Sequence, residues 1–395
     1  MIKLKNKLKK IFIITGSRAD YDLLKPIIIK LKKSDRFKVN VVVTGSHFIK
    51  NHNTFTQIER DNIKINNKIK IKYKGDTETV ILNFFAEGVK RFNNLFKKNK
   101  PDGILVLGDR YEIFSAVISA SFYRIPIIHL SGGEVTEGAI DEPIRHSISK
   151  FSSFHFVTNL LYKKRIIQLG EDPKSIFHVG STGVENIKRF QLFTKKEIKT
   201  KLGFSLRKKN YLITFHPVTF QFDYGLKDFK ILLTFLLRKK NDGMIFTLPN
   251  SDVSNLKIRK LIKKFVSKHK HAKYYTSLGK NNYFSFVKNV DYVIGNSSSG
   301  LSEVPSFKKP TINLGIRQRG RIFAKSVINI QEVNLTNLEK AFKKASSKKF
   351  KKVLARTKNP YFKKGTTDTI IQILKKIDLK KMRYKKFIDI KESYK

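Results

Sequence analysis

The chain has 395 residues, with 82 Lys plus Arg against 31 Asp plus Glu for a formal net charge of +51, and it has no cysteine. That length suits two or three domains at roughly 150 residues each, and the lack of cysteine excludes a disulfide framework, a thiolate nucleophile and Cys-based metal sites while fitting a cytoplasmic location. Charge of this size attracts polyanions, but the lysines line the polar side of nearly every predicted helix and no RNP-type aromatic motif, helix-turn-helix signature or zinc finger accompanies them, so dedicated nucleic-acid binding is not expected.

In chain order, the basic start MIKLKNKLKK resembles the head of a signal peptide, yet the apolar run Ile11 to Ile14 is too short for one and leads into a glycine turn, so it reads as a first strand. No apolar stretch approaches the roughly 18 residues of a membrane helix. Strands are expected at Lys10 to Thr15, Lys38 to Thr44, Lys68 to Tyr73, Gly103 to Leu107, Pro126 to His129 and Phe154 to Thr158. A second series falls at Tyr211 to Phe215, Met244 to Leu248, Lys273 to Tyr275, Tyr292 to Ile294, Thr311 to Asn313 and Val327 to Ile330. Helical patterns of about 10 to 15 residues separate them, which is the rhythm of βαβ units and parallel sheets. Two series imply two doubly wound α/β domains, 1–190 and 191–365, joined by a helix-rich connection from Val184 to Leu202. A final helix, Thr367 to Ile377, is expected to pack back on the first domain, with a loosely ordered basic tail after it.

Small and polar clusters follow the strands directly: Thr15-Gly16-Ser17-Arg18, Thr44-Gly45-Ser46-His47, Gly108-Asp109-Arg110, Gly132-Gly133-Glu134, His216-Pro217, Gly295 to Gly300 and Gly315-Ile316-Arg317. Ligands of open α/β sheets bind outside the carboxyl ends of strands. If the two rims face each other, the site lies in the cleft between domains.

Within GNSSSGLSE, Gly295 to Glu303, glycines let the backbone approach an anion, and Asn296, Ser297 and Ser298 stand before a helix expected near Ser298. The loop suits a diphosphate, or is merely an N-capped turn; it lacks the Gly-Lys-Ser/Thr of a Walker A loop. Glu303 could accept from ribose hydroxyls or be solvated. Arg18 and Arg317, one in each half, suit a diphosphate because a guanidinium donates bidentately and keeps its charge. Asp20 could bind substrate, or serve only as a first-turn helix charge. Asp109 follows the most apolar strand and is a candidate base, a ligand to sugar hydroxyls, or an N-cap. The stretch HLSGGEVTEGAIDEPIR, His129 to Arg145, gathers Glu134, Glu137, Asp141 and Glu142 in a chain poor in acids, which points to acid-base chemistry or hydroxyl recognition. Asp141-Glu142-Pro143 also reads as a helix start. His216 stands at the head of the second domain and is a catalytic candidate. The nine histidines show no metal-ligand spacing, so neither a metal nor a cofactor is expected.

Taken together, TGSRADYDLLKPI, VTGSHF, GDR, HLSGGEVTEGAIDEPIRHSISK, FHPVT and GNSSSGLSEVPSFKKPTINLGIRQRGR, in this order over the first 330 or so residues, resemble the UDP-N-acetylglucosamine 2-epimerase family, and its hydrolysing branch in particular. The resemblance implies a GT-B type fold with the active site between two Rossmann-like domains. It implies elimination of UDP to a 2-acetamidoglucal, then hydration to N-acetylmannosamine, feeding sialic or legionaminic acid synthesis. Matching motif positions makes Asp109 and Asp141 the acid-base carboxylates, with Glu134 and His216 beside them. The UDP-sugar positions are Arg18, Asp20, His47, Arg110, Arg145, His146, His216, Asn296, Ser297, Ser298, Glu303 and Arg317. A homo-oligomer, dimer or tetramer, is expected. One departure stands out: many members carry a catalytic glutamate two residues after the loop histidine, where this chain has Ser131, so either Glu134 substitutes or the work is divided differently. The loop wording also resembles enzymes acting on UDP-2,4-diacetamido-2,4,6-trideoxyglucose. The competing readings are a GT-B glycosyltransferase and, far behind, a nucleic-acid binder.

Overall fold

The computed structural model describes residues 8–48, 54–72, 75–379 and 384–390. Seven parallel strands form the first sheet: β1 (Lys9–Thr15), β2 (Phe37–Val43), β3 (Ile65–Lys68), β4 (Gly103–Leu107), β5 (Ile127–Leu130), β6 (Phe154–Val157) and β7 (Ile176–His178). Six more form the second: β8 (Asn210–Thr214), β9 (Gly243–Thr247), β10 (Ala272–Tyr275), β11 (Tyr292–Gly295), β12 (Thr311–Leu314) and β13 (Val327–Ile330). The orders are β3-β2-β1-β4-β5-β6-β7 and β10-β9-β8-β11-β12-β13. Strand order therefore reverses between β1 and β4 in one sheet and between β8 and β11 in the other.

The central strands β1 and β4 are continuous apolar runs, as expected where helices cover both faces of a sheet. Ile11, Phe12, Ile13 and Ile14 of β1 are all fully buried, and so are Ile104, Leu105 and Val106 of β4. Fully burying each such side chain stabilises the fold by roughly 1.5–3 kcal/mol. Stability therefore resides in the sheet interiors, which leaves the loops at the carboxyl rims free to carry polar groups.

Three sequence expectations change. The third strand runs over Ile65–Lys68 rather than Lys68 to Tyr73, because Val41 pairs with Ile65 and a register shift then sets Val42 against Asn67; Tyr73 lies outside the described residues, as does the start of the chain through residue 7. The edge strand β7 escaped notice because three residues carry no readable alternation. The tail is also more tied down than expected. Ile388 N–H donates to the Gly170 carbonyl at 3.0 Å and Lys385 Nζ lies 2.6 Å from the Glu171 carboxylate, pinning 384–390 to the turn that follows the helix Leu160–Gln168 of the first domain.

The last helix, Thr366–Lys376, contributes Ile370, Ile371 and Leu374 to the same core as Ile11, Tyr21 and Leu24. Lys9 Nζ donates to the carbonyls of Leu374 at 3.1 Å and Lys375 at 3.0 Å, placing a cation at the negative end of that helix. Among the described residues, no helix is long and apolar enough to cross a membrane.

Candidate active site

The two carboxyl rims face each other. Domain contacts between them are made by the acidic loop after β5 and the loops after β8 and β12: Glu137 N–H donates to the Arg319 carbonyl at 3.2 Å, Ile140 N–H to Thr219 Oγ1 at 2.8 Å and Phe220 N–H to the Gly138 carbonyl at 3.2 Å. The approach is close enough to require glycine, since a Cβ on Gly138 would lie 2.8 Å from Arg317 Cα. The loops after β1 and β4 flank the first switch point, and those after β8 and β11 flank the second, the positions at which doubly wound sheets hold ligands.

On the first-domain side, Asp141 opens the helix Asp141–Phe151 and Arg145 follows on the next turn, so both face the cleft side of β4. Arg145 is buried and ion-paired with Asp109 at the end of β4. It also donates to the Glu134 carbonyl at 2.9 Å and to Thr136 Oγ1 at 3.0 Å, so the guanidinium is a fixed bracket for the Asp109 carboxylate. Burial, then the Asp252 carboxylate, raise the Asp141 pKa to about 6. His146 meets Glu142 at 2.9 Å on the same helix.

The second-domain side is organised by Asn296, which is fully buried. Its Oδ1 accepts from His216 N–H at 2.7 Å and its Nδ2 donates to the His216 carbonyl at 2.8 Å, tying the end of β8 to the end of β11. Arg317 donates to the Asn296 carbonyl at 3.2 Å. Asn250 N–H donates to His216 Nδ1 at 3.2 Å. Burial, with Arg317 nearby, lowers the His216 pKa to about 3. The neutral ring therefore carries its proton on Nε2, which makes it a hydrogen-bond donor to an anion rather than a base.

A second cluster spans the cleft. Gly183, in the connection between sheets, approaches both Lys280 Nζ and Glu303 Oε1 so closely that a Cβ there would sit 3.2 and 3.1 Å from them. Lys280 Nζ is 3.6 Å from Glu303 Oε1 and has no hydrogen-bond partner although buried; Arg18 Nη1 and Arg317 Nε are also buried without an acceptor. Buried cationic donors left unsatisfied are costly, so they mark where an anion would be stabilised. Asp22 faces Lys280 and Arg18 from the first domain. Ser297 and Ser298 precede the expected helix, which has only four residues, Ser299–Ser302, because Pro305 diverts the chain into a 3-10 turn, Val304–Phe307.

Several sequence candidates take other places. His47 is fully buried with Nε2 3.0 Å from Thr15 Oγ1 and Nδ1 2.8 Å from Thr54 Oγ1, so both ring nitrogens are engaged by threonines of the first domain. The Glu134 carboxylate, proposed to substitute for an acid at Ser131, pairs with Arg321 at 3.0 Å and accepts from Thr158 Oγ1 at 3.0 Å, bridging the two domains. Asp20 is buried and accepts from Gly16 N–H at 3.2 Å, bracing the turn after β1. Ser131 itself adopts φ 65°, a left-handed backbone unusual outside glycine that turns the chain into the acidic loop.

Sequence reasoning missed Glu112, Asp252, Lys280 and Arg321. Glu112 is almost fully buried and pairs with Arg110 at 3.1 Å; Asp252 meets Arg110 at 3.0 Å from the other domain. Glu112 could have been found as the acid two residues beyond GDR, whereas Asp252 has no local signal.

Two Rossmann-like domains with facing carboxyl rims and a cationic interdomain cleft define a GT-B type enzyme. The family model described as UDP-N-acetylglucosamine 2-epimerase matches residues 29–375. A GDP/UDP-N,N'-diacetylbacillosamine 2-epimerase (hydrolyzing) from Campylobacter jejuni is 38% identical over 97% of this chain and 99% of its own length. The polysialic acid biosynthesis protein P7 of Escherichia coli is 38% identical over 98% of each. The UDP-GlcNAc 2-epimerase of Neisseria meningitidis bound to UDP-GlcNAc shares the fold, with a TM-score of 0.80 at 18% identity over 92% of this chain and 99% of that one. The chain belongs to the UDP-N-acetylglucosamine 2-epimerase family. It is an enzyme, a nucleotide-sugar 2-epimerase of the hydrolysing kind.

Proposed function

We propose that the chain converts UDP-N-acetylglucosamine and water to N-acetylmannosamine and UDP, as a cytoplasmic step toward sialic- or legionaminic-type acids. The observation that carries this is a cleft between the domains in which Asp141 faces Arg317, Asp109 is held by Arg145, and Arg18, Lys280 and Arg317 present buried donors that lack acceptors. The donors suit the diphosphate, and the carboxylates suit proton transfer at the sugar. In the first step Asp109, oriented by Arg145, takes the C2 proton. The C2–H electrons form the C1–C2 double bond while the C1–O bond breaks and its pair leaves with UDP. Arg317, Arg18 and the His216 Nε2–H stabilise the charge gathering on the departing phosphate. In the second step Asp141 gives its proton to C2 from the opposite face, inverting that carbon, while water bonds through its oxygen to C1; the proton that water sheds restores Asp141, and Asp109 releases the proton it took to solvent. A pKa of about 6 leaves Asp141 partly protonated near neutrality, as this role needs.

Incubation with UDP-N-acetylglucosamine in D2O tests the reading: UDP release accompanied by one deuterium at C2 of the free sugar is expected, and UDP release without the label would reject the elimination. A second substrate, the UDP-2,4-diacetamido-2,4,6-trideoxy sugar, is favoured by relatives from Campylobacter jejuni and Legionella pneumophila, 38% and 32% identical, named for N,N'-diacetylbacillosamine. Side-by-side kcat/KM values on the two sugars decide between them.

A further inference from the structure

Asp252 lies in the loop between β9 and the helix Asn255–Lys268, on the second-domain wall of the cleft, and it is buried. Its Oδ1 is 3.0 Å from Arg110 Nη1 of the first domain, and its Oδ2 is 4.0 Å from Arg317 Nη2 of its own domain. Arg110 is engaged on its other edge by Glu112, with Nε to Oε2 at 3.1 Å. The resulting row, Glu112, Arg110, Asp252, Arg317, crosses the domain boundary beside Asp141, and two of its four members come from each domain.

We infer that Asp252 is a positioning residue of the proposed reaction, the group through which closure of the two domains sets Arg110 and Arg317 around Asp141. The inference rests on the functional reading above. A buried carboxylate facing two guanidiniums is compensated only while the two domain rims are in contact, so the row fixes how the domains meet at this point. Asp141 is faced by Asp252 from the loop after β9, by Arg317 and Arg321 from the loop after β12, and by Arg110 and Glu112 from the start of the helix Tyr111–Phe122; Glu142, Arg145 and His146 share its own helix. His216 faces Asp252 from the end of β8. Burial and the charge of Asp252 both hold the Asp141 proton on, while the arginines oppose them. Taking away the Asp252 charge therefore lets Asp141 lose its proton at lower pH.

The experiment compares pH profiles of UDP release for the wild type, Asp252→Asn, Asp252→Ser and Asp252→Glu. Asparagine keeps an acceptor for Arg110 and serine removes the charge by a different shape, so misfolding of one variant does not hide the result. The alkaline limb of kcat is expected to move down by about one pH unit in both neutral variants, lowering kcat about tenfold on that side, with KM within about threefold. Asp252→Glu is expected to restore the wild-type limb. Coincident limbs in wild type and neutral variants, with or without a uniform loss of kcat, would overturn the inference while leaving the epimerase reading intact. A wild type that releases no UDP from either sugar overturns the reading and the inference with it.

Discussion

Arg145 stands one helical turn after Asp141 and grips Asp109, so one helix sets the position of both proposed acid-base groups. Asp109→Asn and Asp141→Asn should each lower kcat by about 10²–10⁴-fold, the usual worth of a positioned acid or base. UDP affinity by calorimetry should change little in either, whereas Arg317→Ala should weaken UDP binding about tenfold or more by removing a charge-assisted donor. The histidines divide differently. His47 and His216 both follow strands and look alike in sequence, but only His216 has a ring nitrogen left over. His47 contributes to pH behaviour instead. Burial lowers its pKa from 6.5 to about 3, so below 6.5 the unfolded chain binds a proton that the folded one refuses, and stability from this group is present above that pH and lost as pH falls toward 3. Between pH 7.5 and 5 the loss is about 2 kcal/mol, and His47→Gln should abolish that part of the slope in urea unfolding. Unfolding curves of wild type and variant that shift equally with pH would contradict this.

At the level of elements, the most constrained position is Gly295, at the end of β11. It has φ 132°, and a Cβ there would lie 1.9 Å from the Thr214 carbonyl oxygen of β8. Gly295→Ala should therefore disrupt the β8–β11 pairing and the Asn296–His216 bridge beyond it. A loss of about 3 kcal/mol or more is expected, read as a lowered thermal midpoint or insoluble protein. Glycine and polar clusters after strands were legible in the sequence because a rim turn needs special backbone angles, and they located β1, β4, β8 and β11 correctly. Period-two alternation did not help where strands are short: β7 has three residues, and β3 is displaced by the register shift between Val41 and Val42. Asp252 was illegible for another reason. Its meaning comes from Arg110, 142 positions away in sequence, and no spacing within PNSDVSN encodes that.

On the scale of the whole molecule, a net charge of +51 surrounds a cleft built for an anion. Such a field concentrates a nucleotide-sugar near the surface at low salt and is screened within about 8 Å at physiological ionic strength. Raising salt from about 0.02 to 0.3 M should increase KM several-fold while leaving kcat within about twofold, since the paired groups inside are shielded from ions. An equal fall in kcat would place the salt effect inside the site. The hydrogen bonds from Glu137 to Arg319, Ile140 to Thr219 and Phe220 to Gly138 bear on something else again: how such a protein can be recombined. The loop leading into Asp141 is encoded with one domain but shaped by the other. A chimera that takes only its second domain from a relative would inherit a mismatched lock. Segments 134–140, 219–220 and 317–321 form one heritable unit despite lying on both sides of the boundary, and substrate specificity would have to be transplanted with all three.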